Sequence, residues 1–301
     1  MPPRLGAFLA ITFWGISFVA TKAALREVAP ITLIFSRFFL GTLTLFAWSL
    51  VSRRAAPSAP ADERPRVWPQ LLFMGFLGIF VHQMLQANAL TMTSATNAGW
   101  LVGVTPIWSA ILSAIVLRER LGLLKIAGLA GGFFGALLVI TRGHFDAHVL
   151  ALPSTRGDLL IFLSTFNWAI YSIVGHKTIR RLGPTRATAG AMAFGIAMLT
   201  PFFIAARGWR ELPHVTPAGW IAILFLGFGC SAAAYLFWYG ALAKLEVTRV
   251  AAFLYLEPLV TFAAAMILLN ERAGAVVVLG GAIVLGSVLL LQYAPAQKPQ
   301  Y

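Results

Sequence analysis

The sequence predicts an all-α integral membrane protein: ten transmembrane helices arranged as two inverted five-helix repeats around a central cavity. Three observations carry this prediction. Apolar residues make up 59% of the 301-residue chain and charged residues 11%, against roughly 45–50% and about 25% in soluble domains. The mean hydropathy is +0.82, and the apolar residues come in runs of about 20, the length that crosses a hydrocarbon core of about 30 Å. The chain also repeats itself. Shifting it by 152 positions lays Thr96 on Thr248, Pro106 on Pro258, Leu117 on Leu269, Glu119 on Glu271, Arg120 on Arg272, Gly122 on Gly274, Gly128 on Gly280 and Ala130 on Ala282.

In chain order the spans are expected at Leu5–Ala24, Ile31–Val51, Trp68–Leu90, Ala95–Leu117, Leu121–Thr141, Gly157–Lys177, Pro184–Ala206, Pro217–Leu242, Thr248–Leu269 and Ala273–Tyr293. The first follows Arg4 and lacks a small-residue cleavage site, so it reads as a retained helix rather than a signal peptide. Spans 4 and 5 pair with spans 9 and 10 in the duplication. Span 1 pairs with span 6 at a shift of 154, through Trp14 on Trp168 and Pro30 on Pro184. Spans 5 and 10 carry Gly128, Gly131, Gly132, Gly135, Gly280, Gly281 and Gly286 and almost no polar side chains. Small residues four apart let helix backbones approach closely, so these two spans read as scaffold. The longest polar link, 52–67, leaves no room for a soluble domain. The expected units are a first repeat (1–142), a connecting loop (143–156), a second repeat (157–293) and a tail (294–301).

Orientation follows the Lys/Arg bias of the links. With both ends cytoplasmic, 15 of the 23 basic residues fall inside and 8 outside. The net charge of +13 is therefore topological and does not point to nucleic acid. Five spans per half is an odd number, so the halves insert with opposite topology. Many secondary transporters are built this way, with their site near the midplane between the halves. The alternative is an old duplication retained for packing, since symmetry alone moves nothing.

Polar residues at membrane depth narrow the site. Nine of the ten acids, Glu27, Asp62, Glu63, Glu119, Asp146, Asp158, Glu211, Glu246 and Glu271, are placed in loops or at helix ends. Only Glu257 lies deep within a span. Such an acid costs roughly 2.5–3.5 kcal/mol on insertion scales and faces a cavity or a partner. Two readings stand: a proton-coupling or ammonium-binding group, or a structural acid beside the carbonyl that Pro258 frees. His82 and Gln86 share one face of span 3, with Gln83 and Asn88 beside them, which suggests a cavity wall. Ser17 lies in span 1. No second histidine or cysteine stands at ligand spacing, so neither a metal nor a cofactor is expected. Cys230 is the single cysteine, so no intramolecular disulfide can form. Lys22 and Arg37, near the outer ends of their spans, either snorkel to the headgroups or offer positive charge at the outer vestibule; the structural reading is preferred.

Aromatic residues form a second layer. Trp14, Trp168 and Tyr171 lie too deep for an interfacial belt. Trp100, Tyr235, Trp238, Tyr239 and Tyr255 line further spans. Each is open to two readings, contact with or gating of a substrate, or core packing. Trp48, Trp68, Trp209 and Trp220 are expected as interface anchors.

These residues together resemble the drug/metabolite transporter superfamily, specifically proteins with two EamA-type repeats. The matching motifs are Phe13-Trp14-Gly15-Ile16-Ser17-Phe18 with Lys22, Arg37-Phe38, and Pro106 followed by Leu117-Arg118-Glu119-Arg120-Leu121-Gly122. The second copy supplies Trp168-Ala169-Ile170-Tyr171, Leu256-Glu257-Pro258-Leu259 and Asn270-Glu271-Arg272. The resemblance implies a bacterial inner-membrane transporter whose cavity is lined chiefly by spans 1, 3, 4, 6, 8 and 9, with spans 5 and 10 peripheral. Many members export amino acids or other metabolites, and the tryptophan-rich interior is similar to that of members exporting aromatic amino acids.

The expected function is therefore export of small amphiphilic metabolites, amino acids among them, by alternating access. The candidate substrate-binding residues are Trp14, Ser17, His82, Gln86, Trp100, Trp168, Tyr171, Tyr235, Trp238, Tyr239, Tyr255 and Glu257. A lipid flippase or a passive solute channel of the same fold is the alternative. An intramembrane lipid-modifying enzyme is remote, because it needs clustered acids, a zinc motif or a nucleophile with its base. The expected partners are a small-molecule substrate and the bilayer. A monomer is expected, with a homodimer through the glycine faces as the other arrangement.

Overall fold

The structure is a computed structural model that describes residues 2–52, 67–117, 123–145, 152–242 and 252–293. The 53–66 part of the long link, the Glu119-Arg120 motif, most of the connecting loop, the segment around Glu246 and the tail lie outside them. Every regular element among the described residues is helical. The helices are α1 (Pro3–Ala24), α2 (Pro30–Ser52), α3 (Trp68–Leu90), α4 (Ala95–Val102), α5 (Thr105–Leu117), α6 (Leu123–Thr141), α7 (Pro153–Leu182), α8 (Pro184–Ala205), α9 (217–242), α10 (Leu256–Leu269) and α11 (Ala275–Tyr293). Six of them are long and apolar enough to cross a membrane: α1, α2, α3, α6, α8 and α9. Their outer faces carry exposed Phe46, Phe134, Phe202 and Ile221, as a lipid-facing surface should.

Among the described residues two expected spans depart from regular α-helix, and at matching places. Span 4 divides into α4 and α5 at 103–104. Pro106 cannot donate to the carbonyl of Val102, and the Thr105 hydroxyl takes that carbonyl instead, at 2.8 Å. Span 9 enters through a 3₁₀ turn, Ala252–Tyr255, before α10 begins at Leu256, two residues ahead of Pro258. Irregular backbone at membrane depth is tolerated where it lines a cavity or is buried in protein.

A further internal match is visible only in three dimensions. Helix α3 widens to π-helical geometry over Gly75–Val81, and α9 does so over Phe225–Ala233. Regular α-helix resumes at His82 in one and Ala234 in the other, the same 152-position offset as the sequence duplication. Each widened turn serves close packing. A Cβ on Gly78 would stand 2.7 Å from the Tyr171 ring, and one on Gly227 would stand 2.7 Å from Leu40 Cβ. The side-chain amide of Asn167 donates to the Leu77 carbonyl at 2.8 Å within the α3 stretch.

The glycine-rich helices α6 and α11 pack on each other. A Cβ on Gly135 would lie 2.6 Å from the Gly280 carbonyl oxygen, and one on Gly280 would lie 2.8 Å from the Gly135 carbonyl oxygen. The close-approach face expected of these helices is thus spent within one chain.

One end of the bundle is tied by charge. Glu271 accepts from the amides of Ala95 and Thr96, at 3.0 and 2.9 Å, where α4 begins. The Lys22 ammonium lies 3.6 Å from Glu271 and donates to the Thr93 carbonyl. Asp158 accepts from the Thr93 hydroxyl, from Asn97 Nδ2 at 2.9 Å and from Arg142 at 3.3 Å. This clasp joins α1, α4, α6 and α7 to the α10–α11 turn. It corrects two expectations. Lys22 is paired rather than snorkelling. Asp158 is a buried acid, because α7 starts at Pro153, a full turn before the expected Gly157.

Candidate functional site

Nine helices and the turn before α10 contribute to the walls of a central cavity of about 520 Å³. Its walls come from both sequence repeats. Trp14 and Ser17 of α1 face Thr165, Trp168 and Ser172 of α7. His82, Gln83 and Gln86 form the α3 wall, Gly103, Thr105, Pro106 and Ser109 the α4–α5 wall, and Leu254, Glu257 and Pro258 the opposing wall. Tyr235 of α9, Arg37 of α2 and Leu285 of α11 complete it. As expected of spans 5 and 10, most of α6 and α11 lies away from the cavity; among the described residues of these helices only Leu285 reaches the lining. Span 2, which the resemblance left out of the cavity, contributes Arg37.

The aromatic residues are held in place before any substrate arrives. Trp14 Nε1 donates to the Cys230 carbonyl at 3.2 Å, and the indole meets Tyr235 edge-on at 5.4 Å and Trp238 at 5.5 Å. Trp168 lies between the His82 imidazole and the Tyr171 ring, 4.8 Å from each centroid. His82 Nδ1 donates to the Ser164 carbonyl at 3.1 Å, which fixes the ring and leaves Nε2 as an acceptor. Rings fixed in this way lose little freedom when they stack on a ligand.

The two charged groups of the cavity differ in their surroundings. The Arg37 guanidinium is tethered by Ser231 Oγ at 2.9 Å and Gln83 Oε1 at 3.4 Å. Glu257 sits in the first turn of α10, where a negative charge is favoured by the helix dipole. Its backbone carbonyl accepts from Thr261 Oγ1 at 3.0 Å, and that hydroxyl also bonds Gly15 O at 2.9 Å. Among the described residues the structure shows no donor on the Glu257 carboxyl, so the cross-helix bond of the structural reading is absent there.

Seven of the twelve expected residues line this cavity: Trp14, Ser17, His82, Gln86, Trp168, Tyr235 and Glu257. Three stand behind it. Tyr171 backs Trp168, Trp238 backs Trp14, and Trp100 is buried against Phe262 at 5.5 Å and over Gly281. The side chains of Tyr239 and Tyr255 lie outside the described residues. Gln83, read beside His82 and Gln86 as cavity wall, lines it as well, whereas sequence reasoning did not select Arg37, Thr105, Ser109 or Thr165. The readable signal for Arg37 was its charge seven residues inside an apolar helix; the others are small or neutral, and nothing in one sequence separates them from ordinary helix surface.

A multi-pass helical bundle with a polar and aromatic cavity between two copies of one motif has the architecture of many membrane transporters. The chain belongs to the EamA-like transporter family, whose model matches it twice, over residues 2–141 and 155–293. It is 30% identical over 282 residues to an uncharacterized transporter of Archaeoglobus fulgidus, covering 94% of both chains. It is 27% identical to a probable amino-acid metabolite efflux pump of Escherichia coli, covering 95% of this chain and 91% of that one. It is 25% identical to a probable terminal-alkyne amino-acid exporter of Streptantibioticus cattleyicolor, with 94% and 91% covered. A solved crystal structure superposes with a TM-score of 0.66 at 21% identity, covering 97% of this chain and 99% of the other; that likeness concerns the fold.

Proposed function

We propose that this protein is a secondary transporter that exports small amphiphilic metabolites, amino acids among them, across the bacterial inner membrane by alternating access. One observation carries the reading: a cavity of about 520 Å³ takes its walls from both repeats and combines fixed aromatic rings with polar and charged groups. That volume and lining suit a small molecule with an apolar body and a polar end. Two relatives named for amino-acid export support the substrate class.

In this reading the chain crosses the membrane ten times with both ends cytoplasmic. Trp14, Trp168 and Tyr235 supply apolar contact. Ser17, His82, Gln86 and Glu257 supply polar contact. Tyr171, Trp238 and Trp100 hold the lining rings and helices in register. The clasp of Lys22, Glu271, Asp158 and Arg142 seals the extracytoplasmic end, and rocking of one repeat against the other exposes the cavity to each side in turn. The purified chain in liposomes tests this. Amino acids loaded on one side are expected to cross, faster with a pH gradient if Glu257 carries the coupling proton. If no amino acid or related amine moves in either direction, with or without a gradient, the substrate assignment fails.

A further inference from the structure

We propose that Arg37 binds the carboxylate of the transported molecule, so that the cavity selects zwitterions over the matching amines. The inference rests on the transport reading and names the part of the substrate that the lining recognises.

Arg37 lies seven residues into α2, is 9% exposed, and faces the cavity. Its guanidinium is held from two sides. Nε donates to Ser231 Oγ on α9 at 2.9 Å, and one terminal nitrogen reaches Gln83 Oε1 on α3 at 3.4 Å. The ring of the adjacent Phe38 lies 5.0 Å from Cζ. Both hydrogen-bond partners are neutral. A guanidinium has five N–H donors in a planar fork, so donors remain after these two bonds.

The described acids are engaged elsewhere, with one exception. Glu271 pairs with Lys22, and Asp158 with Arg142. Glu27 accepts from the amide and hydroxyl of Thr216, and Glu211 accepts from the Ala29 amide. Glu257 shares the cavity, yet no ion pair joins it to Arg37 among the described residues. A fixed cation buried without an anion is costly in a membrane interior. A carboxylate entering the cavity would meet the guanidinium fork in its preferred bidentate geometry.

The charge balance of the lining sets the rest of the ligand. One guanidinium and one carboxyl share the same walls, and each lacks a partner of opposite charge among the described residues. Their complement is one carboxylate and one ammonium on a single small molecule. An organic phosphate would bring more negative charge than one arginine offsets and would bring it near Glu257. The apolar part of the ligand then rests on Trp14, Trp168 and Tyr235.

The test uses the full-length protein in liposomes. A mixture of proteinogenic amino acids and a matched mixture of their decarboxylated amines are loaded, and both efflux rates are read by mass spectrometry. Wild type is expected to move the acids at least about tenfold faster than the amines, because a site built around a hydrogen-bonding charge rejects ligands lacking its partner. Arg37→Gln is expected to lower acid efflux by about tenfold while leaving amine efflux within about twofold of wild type. Arg37→Lys should keep part of the acid flux, since the charge survives and the fork does not. Equal rates for acids and amines in wild type overturn the proposal and leave the transport reading intact. So does an equal loss of both classes in Arg37→Gln, which would mark the arginine as a helix tie. If neither class moves in wild type, the transport reading falls and this proposal with it. Should Arg37→Gln not fold, the wild-type ratio and its change in Arg37→Lys decide.

Discussion

At the scale of single residues, two of the cavity's groups make opposite demands on experiment. Glu257 lies in the first turn of α10, and its carboxyl has no donor among the described residues. Glu257→Gln keeps the shape and removes the titrating group. The expected outcome is abolished gradient-driven accumulation with solute exchange lowered less, because exchange loses only the contact to the substrate's ammonium. Equal loss of both, together with poor yield of folded protein, would return Glu257 to a structural role. Trp168 and Tyr171 are neighbours on α7 whose rings touch, but only Trp168 lines the cavity. Trp168→Ala should raise the apparent KM for the transported solute by about tenfold, because stacking on a fixed ring is lost. Tyr171→Ala should act on stability instead, costing about 3–5 kcal/mol as a large-to-small change in a packed interior. Thermal melting beside transport kinetics separates the two effects. A KM change in Tyr171→Ala larger than in Trp168→Ala would reverse the assignment of wall and backing.

At the scale of elements, the pair α6 and α11 shows why glycine stands where it does. The Gly135 and Gly280 backbones meet so closely that any side chain at 135 must push α11 away. Gly135→Leu is expected to destabilise the fold by about 1–3 kcal/mol through overpacking, read as a lower melting temperature in detergent. An unchanged melting temperature would show that α6 and α11 do not pack as described. The broken segments teach a related point. Proline position is plain in the sequence, where Pro106 and Pro258 are repeat equivalents. Their structural consequence, two helix starts facing one cavity, depends on α1, α3 and α7 packing around the breaks. The π-helical stretches of α3 and α9 left no sequence signal at all. In the structure the α3 stretch is met by Asn167, which donates to the Leu77 carbonyl, and Gly78 and Gly227 each admit a neighbour closely.

At the scale of the whole molecule, the clasp and the cavity divide the bundle into a tied end and a hollow middle. Lys22, Glu271, Asp158 and Arg142 draw on both repeats, so the tied end can open only if the repeats separate there. Which side of the membrane that end faces is set by the basic residues of the links. In a Cys230→Ser background, Arg207→Cys and Arg186→Cys report the two ends of α8, and both positions are exposed. A membrane-impermeant maleimide added to intact cells is expected to label position 207 and to reach position 186 only after permeabilisation. The reverse pattern would invert the assigned topology and place the clasp on the cytoplasmic side.

Sequence alone determined the class of the protein. A chain with 59% apolar and 11% charged residues must be solvated by lipid, and a match at a fixed offset makes its two halves copies of one unit. Both conclusions come from composition, length and counting, which need no contact to be known. The sequence also pointed to Trp14, His82, Gln86, Trp168 and Glu257, since aromatic and polar groups deep in apolar runs are costly anywhere except at a cavity or a partner. Tertiary structure decided what each polar group is for. Lys22 and Arg37 look alike in sequence, each a cation near the end of an apolar span. Folding pairs Lys22 with Glu271 and turns Arg37 toward the cavity with only neutral partners. Asp158 looked like a loop acid and is buried in a three-donor cage. The physical reason is that burial and pairing depend on residues from distant helices, and the strength of a charge inside a membrane is set by whichever of them arrives within hydrogen-bond reach.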